Sequence, residues 1–337
     1  MGKASKMGNA SKPARTALLG IGAALASALA ATFAYNKAAL VREAELLKRP
    51  LGQMVEVDGR KMCVYVQGEG DRTLVFLSGS GTVSPILDFK SLYSLLSDDY
   101  RIVVIEKFGY GFSDVVDTER SFDTILRQDR EALAKLGVEG PYILCPHSMS
   151  GLEAILWAQR HPQEVDAIVG LDMALPRSYD GFDFDSIKGL GRLAAIGRKV
   201  GVVRLLYSDA SLPEGLSRDE KALYRAIASR IAVNQTVVNE GLAVPGACAM
   251  IDAAEKPDVP MLMFVSDGSQ TRAKDWVGLQ HDFAAGLSNA HVVELKCGHY
   301  VHNFEQARIA AEMRAFLDGV SPALPHQIKD VRSANPS

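Results

Sequence analysis

The stretch ILCPHSMSGLEAI, residues 143–155, decides how this chain is read. Its opening residues are apolar without interruption, as in a strand buried on both faces of a sheet. GLEAILWAQRH, which overlaps its end, has apolar residues at helical spacing. Ser148 stands at the joint. A hydroxyl at a sharp strand-to-helix turn projects above the sheet edge, which is how a serine nucleophile is presented. Such turns are usually Gly-x-Ser-x-Gly, because strand and helix crowd each other there. Here Pro146 and Ser150 hold the two glycine positions, and Gly151 follows. All three are small, so the steric demand is met although the formula is not. Proline also lacks an N–H, which does no harm where no ladder partner exists. An ordinary serine in a strand–helix loop is the competing reading of the same residues.

Outward from this joint, strands and helices alternate. QMVEVDGRKMCVYVQGEG predicts a hairpin turning at Asp58-Gly59. TLVFLSG and RIVVIEKFGYG are buried strands running into glycine turns. SFDTILRQDREALAKLG is a helix capped by Ser121 or Asp123, and VDAIVGLDM is a further strand. The alternation implies a mainly parallel sheet with helices on both faces. It stops at Ala174, and from there to about Lys256 the segments have helical spacing with no strong strand between them. VPMLMFVSDGS and HVVELKCG then resume the strands, and FEQARIAAEMRAFL is the last helix. The simplest division is a core of residues 51–173 and 258–320, a helical cap of residues 174–257, and a loose tail of residues 321–337.

Residues 1–50 are different. Residues 16–36 carry no charge, and Lys3, Lys6, Lys12 and Arg15 precede them without an acidic residue. About 20 apolar residues suffice to cross a bilayer as a helix. The basic flank would stay in the cytoplasm and the rest of the chain outside. Small residues near Ala28 and Ala30 also suit a cleaved signal, and an Ala-rich soluble helix is the plain alternative. The expected localisation is therefore membrane-anchored with the body extracytoplasmic, or secreted after cleavage.

Over 337 residues the chain is 47% hydrophobic and 23% charged, with a net charge of −3. It can build a large core, and its overall charge gives no reason to expect nucleic acid as a partner. The four cysteines Cys63, Cys145, Cys248 and Cys297 match no zinc spacing and do not require a disulfide.

A serine hydroxyl needs a base, an acid that orients the base, and donors for the developing oxyanion. A base paired with Ser148 belongs in the loop after the last strand. His299 in KCGHYVHNFEQ sits there, with His302 as rival, while His147 beside the serine reads as structural. The acid belongs between serine and histidine, at a strand end. Asp267 after MLMFVS fits and is favoured, with Asp172 after AIVGL as rival. The oxyanion donors are the backbone N–H groups of Met149, at a helix start, and of Ser80 in SGSGT. No metal or organic cofactor is required, since side chains and backbone fill every role.

At FLSGSG, EKFGYGFSD, PHSMSG, FVSDG and CGHYVH the chain resembles the α/β-hydrolase family, in its capped, esterase- and proline-iminopeptidase-like branch. The likeness runs from about Gln53 to Leu317. It implies a mostly parallel, eight-stranded sheet with helices on both faces, a helical cap after the sixth strand, and a Ser-Asp-His triad. Ser78 replaces a usual histidine, and Glu106 a usual aspartate. A serine nucleophile argues against the family's dehalogenases and epoxide hydrolases, which use an aspartate there. The expected function is hydrolysis of a small-molecule ester, thioester or amide through an acyl-enzyme. An acyltransferase, a lyase or a non-catalytic binding protein on the same scaffold remains as the alternative. The apolar residues of GVVRLLY and around Ile231 are candidates to line the pocket. Glu214, Glu220 and Glu240 read as surface charge before they read as ligands for a substrate amine.

Overall fold

The computed structural model describes residues 12–320. The expectations for Lys3, Lys6 and residues 321–337 lie outside them. Eight strands form one sheet in the order β1-β2-β4-β3-β5-β6-β7-β8. β1 (Gln53–Val57) and β2 (Arg60–Gln67) pair antiparallel through a turn at Asp58 and Gly59, both at positive φ. β2 also runs antiparallel to β4 (Arg101–Glu106). The remaining strands are β3 (Thr73–Leu77), β5 (Tyr142–Pro146), β6 (Val165–Leu171), β7 (Met261–Val265) and β8 (Ala290–Glu294), and they pair in parallel with their neighbours and with β4.

The parallel strands are apolar at consecutive positions because both faces are covered. In β3, Val75 and Leu77 enter one core cluster with Leu133, Leu152 and Trp157. Leu74 and Phe76 enter the other, with Phe89, Ile309 and Met313. Alternation with period two thus splits one strand between two cores. The first core is roofed by α4 (Phe122–Lys135) and α5 (Ser150–Arg160). The second is roofed by α2 (Pro85–Asp88), α3 (Lys90–Tyr93) and α11 (Gln306–Asp318). Ser121 caps α4, its Oγ accepting from the Thr124 N–H.

Between β6 and β7 lie α6 (Asp185–Val200), α7 (Arg218–Ile231) and α8 (Gln235–Asp252). α6 stops at Gly201, whose φ of 88° is left-handed and costs glycine nothing. Asn234 caps α8 by accepting from Thr236 and Val237. Leu212, Leu223 and Ile227 of this insertion pack with Val83 and Leu87 of the core.

A buried ionic knot ties the insertion down. Lys107, just after β4, reaches Glu153 on α5 at 3.2 Å and Glu240 on α8 at 2.8 Å, and Tyr110 also bonds Glu240. Burial works against the Lys107 charge, but Glu153 and Glu240 outweigh it and hold its pKa well above the ordinary value. Glu240 is therefore an internal ion-pair partner, not surface charge, and Glu220 pairs with Lys90. Leu205 and Leu206 of GVVRLLY face outward.

α1 (Lys12–Arg42) stands apart from the sheet, with Leu19, Ile21, Leu25 and Leu29 exposed. Its stretch Leu19–Arg42 is long and apolar enough to cross a membrane. α9 (Trp276–Ala284) follows β7, and α10 (Val301–Phe304) follows the last loop.

Candidate active site

Ser148 lies between the end of β5 and the start of α5, at φ 54°. Left-handed backbone is unfavourable for a residue with a Cβ, so the surroundings must hold it. They do so in part through Ser150, which stands at one of the expected glycine positions. Ser150 Oγ lies 2.6 Å from the carbonyl oxygen of Leu77, at the end of β3, and accepts from the His147 N–H at 3.1 Å. The Ser148 carbonyl accepts from the Ala174 N–H at 2.7 Å. Gly151 is the position with no room: a Cβ there would lie 2.3 Å from the Ala174 carbonyl oxygen. The turn thus needs one glycine, at residue 151, and uses the serine hydroxyl as a tie to the neighbouring strand.

His299, in the loop after β8, brings Nε2 to 2.9 Å from Ser148 Oγ. Its Nδ1 lies 2.6 Å from Asp172 Oδ2. A carboxylate accepts only, so Nδ1 carries a proton, and in that tautomer Nε2 is the nitrogen that can accept from the serine. Asp172 directly follows β6 and is fully buried. Its other oxygen, Oδ1, accepts from the Ser266 N–H and from Trp276 Nε1–H, each at 2.7 Å. Three donors therefore fix this carboxylate against rotation.

Asp267, the favoured acid, is not part of this arrangement. It is exposed, and its Oδ1 accepts from the Ser269 N–H at 2.9 Å. The Ser269 side chain, and then its N–H, hold this carboxyl below the usual range. The physical reason lies in where the two strands end. Asp172 is the first residue past β6, the immediate neighbour of β5, and its N–H bonds the Phe264 carbonyl of β7. After β7 the chain spends Ser266 as a donor to Asp172, so Asp267 falls outside. The order serine, acid, histidine holds with Asp172 as well.

His302 also lies elsewhere, with its Nε2 3.0 Å from Asp88 Oδ2 in the core. His147 is buried, and burial, then the His299 and His302 rings, push its pKa well below the ordinary value. It stays neutral and donates Nε2–H to the His299 carbonyl at 3.2 Å, steadying the loop. Gln270 Oε1 accepts from the His299 N–H at 3.1 Å on the other side. His147 thus has the structural role its sequence position suggested, whereas the part played by Gln270 was not legible in the sequence.

The loop carrying Ser80 meets the turn at Gly79. A Cβ on Gly79 would lie 2.6 Å from Ser148 Cβ, so only glycine lets the two backbones come together. Met149, the other expected donor, precedes α5 directly, where helix N–H groups lack intrahelical partners.

A cleft of about 180 Å³ opens over Ser148 and His299, walled by Tyr179, Phe182, Arg272 and Trp276. A second hollow of about 310 Å³, bordered by Gly81, Asp88, Tyr207, Tyr224 and Tyr300, shares Gln270 with the first. Among the described residues no group of three His, Cys, Asp or Glu side chains is arranged to hold a metal.

The family model for the alpha/beta hydrolase fold matches residues 72–189. Over 288 residues the chain is 35% identical to Uncharacterized protein YbdG of Bacillus subtilis (strain 168), covering 82% of this chain and 88% of that protein. This chain belongs to the α/β-hydrolase family. Solved structures share the fold at lower identity. A thermophilic esterase from Thermogutta terrifontis has a TM-score of 0.61 at 16% identity, over 80% of this chain and 99% of its own. Haloalkane dehalogenase DbeA from Bradyrhizobium elkani has a TM-score of 0.58 at 21% identity, over 80% and 97%. At 16% and 21% identity these likenesses are to the fold.

Proposed function

We propose that this α/β-hydrolase is a serine hydrolase of carboxylic esters, thioesters or amides. The observation that carries the reading is the unbroken line Ser148 Oγ, His299 Nε2, His299 Nδ1, Asp172 Oδ2, with contacts of 2.9 and 2.6 Å. In this reading Ser148 Oγ bonds the acyl carbon while its proton passes to His299 Nε2. Asp172 orients the ring and stabilises the imidazolium. The backbone N–H groups of Met149 and Ser80 receive the oxyanion. His299 then protonates the leaving oxygen, sulfur or nitrogen as the acyl–leaving group bond breaks. Water, deprotonated by His299, cleaves the acyl-enzyme, and Ser148 regains its proton.

The neighbouring dehalogenase does not direct the reading toward carbon–halogen chemistry, because its fold likeness alone is shared. The family resemblance assigns that chemistry to an aspartate at the position where this chain has Ser148. The insertion between β6 and β7 acts as a cap: Tyr179 and Phe182 from its first segment wall the cleft. The two hollows, which share Gln270, suit the acyl and leaving-group parts of one substrate. α1 serves as a membrane anchor with the body extracytoplasmic, in keeping with its length, its apolar run and the basic residues before it.

A panel of acyl esters, thioesters and aminoacyl amides of varied length, incubated with the full chain in ¹⁸O-labelled water, tests the reaction. Hydrolysis releases an acid carrying one labelled oxygen. Release of unlabelled acyl products on an added alcohol or amine instead indicates transfer, and no turnover of any member counts against both.

A further inference from the structure

Apolar side chains crowd the outside of the insertion where it meets α1. Leu193 is 67% exposed and Leu205 is 74% exposed, and Leu190, Ile196 and Leu206 stand open with them. On α6, Leu190, Leu193 and Ile196 recur every three residues, so they share one stripe. Lys188, Arg192 and Lys199, all exposed, form a second stripe on the same helix. The inward side is a third, where Gly191 packs on Val238. An outward apolar stripe beside a cationic one is the pattern of a helix lying in a membrane surface, leucines in the acyl boundary and cations at the headgroups.

The joint to α1 sets the depth. Asn36 Oδ1 accepts from Arg204 Nε at 2.7 Å, and Asn36 Nδ2 donates to the Arg198 carbonyl at 3.0 Å. Arg204 also grips Glu43 with two bonds, at 2.6 and 2.7 Å. Gly201 is pressed so close that a Cβ would lie 2.6 Å from Asn36 Cβ. A span beginning at Thr16, the first residue of the charge-free run, crosses about 30 Å of hydrocarbon in about 20 residues. It therefore ends at about Tyr35, next to the asparagine that holds the insertion. The exposed leucines of α6 and of the turn after it are then at the level where the bilayer meets water.

We propose that the face formed by Leu190, Leu193, Ile196, Leu205 and Leu206 docks on the surface of the lipid bilayer that α1 enters, with Lys188, Arg192 and Lys199 against anionic headgroups. The polar joint of Asn36 and Glu43 with Arg198 and Arg204 ties this face to the end of α1. This proposal rests on the reading of α1 as a membrane anchor and not on the catalytic reading.

The test uses the full chain reconstituted in phosphatidylcholine–phosphatidylglycerol vesicles, as two variants, Leu193→Trp and Leu205→Trp. Brominated acyl chains serve as quencher. Trp157 and Trp276 of the unmodified chain are buried and supply the baseline. The added tryptophans are expected to emit to the blue and to lose at least about half their intensity to bromine. Water-like, unquenched emission from both overturns the proposal. So does blue-shifted emission that bromine does not quench and that shifts to the red on dilution, because a second copy then covers the face. Quenching at both sites that weakens when Lys188, Arg192 and Lys199 are all changed to Gln supports the headgroup contact.

Discussion

Asp172 Oδ2 receives a hydrogen bond from His299 Nδ1 at 2.6 Å, although the two residues lie 127 positions apart. The fold closes that gap by ending β6 one residue before the aspartate, beside the strand that ends in the Ser148 turn. Replacing Asp172 by Asn exchanges an acceptor for an amide that can donate, which favours the wrong imidazole tautomer. The expected result is a fall in kcat of about 10⁴-fold with the fold retained. Asp267→Asn should leave kcat within about twofold, because that carboxylate is exposed and bonds Ser269 rather than the ring. Steady-state kinetics of the two variants on one ester separate the two aspartates directly.

The contrast between these aspartates shows what was legible in the sequence. The sheet and the helices on its faces follow from local pattern, since strands buried on both sides are apolar throughout and turns carry glycine. Ser148 and His299 are reached from local order too, one at a strand–helix joint and one in the loop after the last strand. The acid is not, because both aspartates follow apolar strands. Only the lateral order of strands, and the donors Ser266 and Trp276, tell them apart. Glu240 failed for the same reason. Its partner Lys107 is 133 residues away, and nothing in NEGLAV marks the glutamate as buried. The clue available was Lys107 itself, a cation in a glycine-rich turn after a buried strand, which requires a counter-ion when enclosed.

Gly79→Ala tests the close approach of the two loops. The added methyl would meet Ser148 Cβ at 2.6 Å, so either the turn or the Ser80 loop must shift. A displacement of that kind is expected to lower kcat about 10²-fold while circular dichroism stays unchanged. An alanine variant with full turnover would show that the loop does not constrain the serine.

Glu106 makes stability depend on pH. Burial raises its pKa from 4.5 to about 7, outweighing hydrogen bonds from the Phe112 N–H and the Ser84 hydroxyl. The folded state holds the proton more tightly than the unfolded one. The resulting stabilisation is complete below the unfolded value near 4.5 and is lost as pH rises through about 7. The loss is up to about 3–4 kcal/mol at about 1.4 kcal/mol per pKa unit. Urea unfolding at pH 5 and pH 8 should show this decline in the unmodified chain and a smaller decline in Glu106→Gln.

Lys107→Met removes the cation from the knot between the core and the insertion. Glu153 and Glu240 are then left buried without their counter-charge, which is expected to cost about 3–5 kcal/mol. The double change Lys107→Met with Glu240→Gln should recover part of that loss, since fewer buried charges are left unpaired. Chemical denaturation of the single and double variants gives the coupling.

The account rests on Ser148 being an activated nucleophile, and reaction of the full chain with a fluorophosphonate probe, followed by peptide mapping, tests this most directly. The expected result is one covalent adduct on Ser148, absent in Ser148→Ala and slowed at least about 10²-fold in His299→Ala. A folded chain that takes up no probe, or that carries the adduct on another residue, would contradict it.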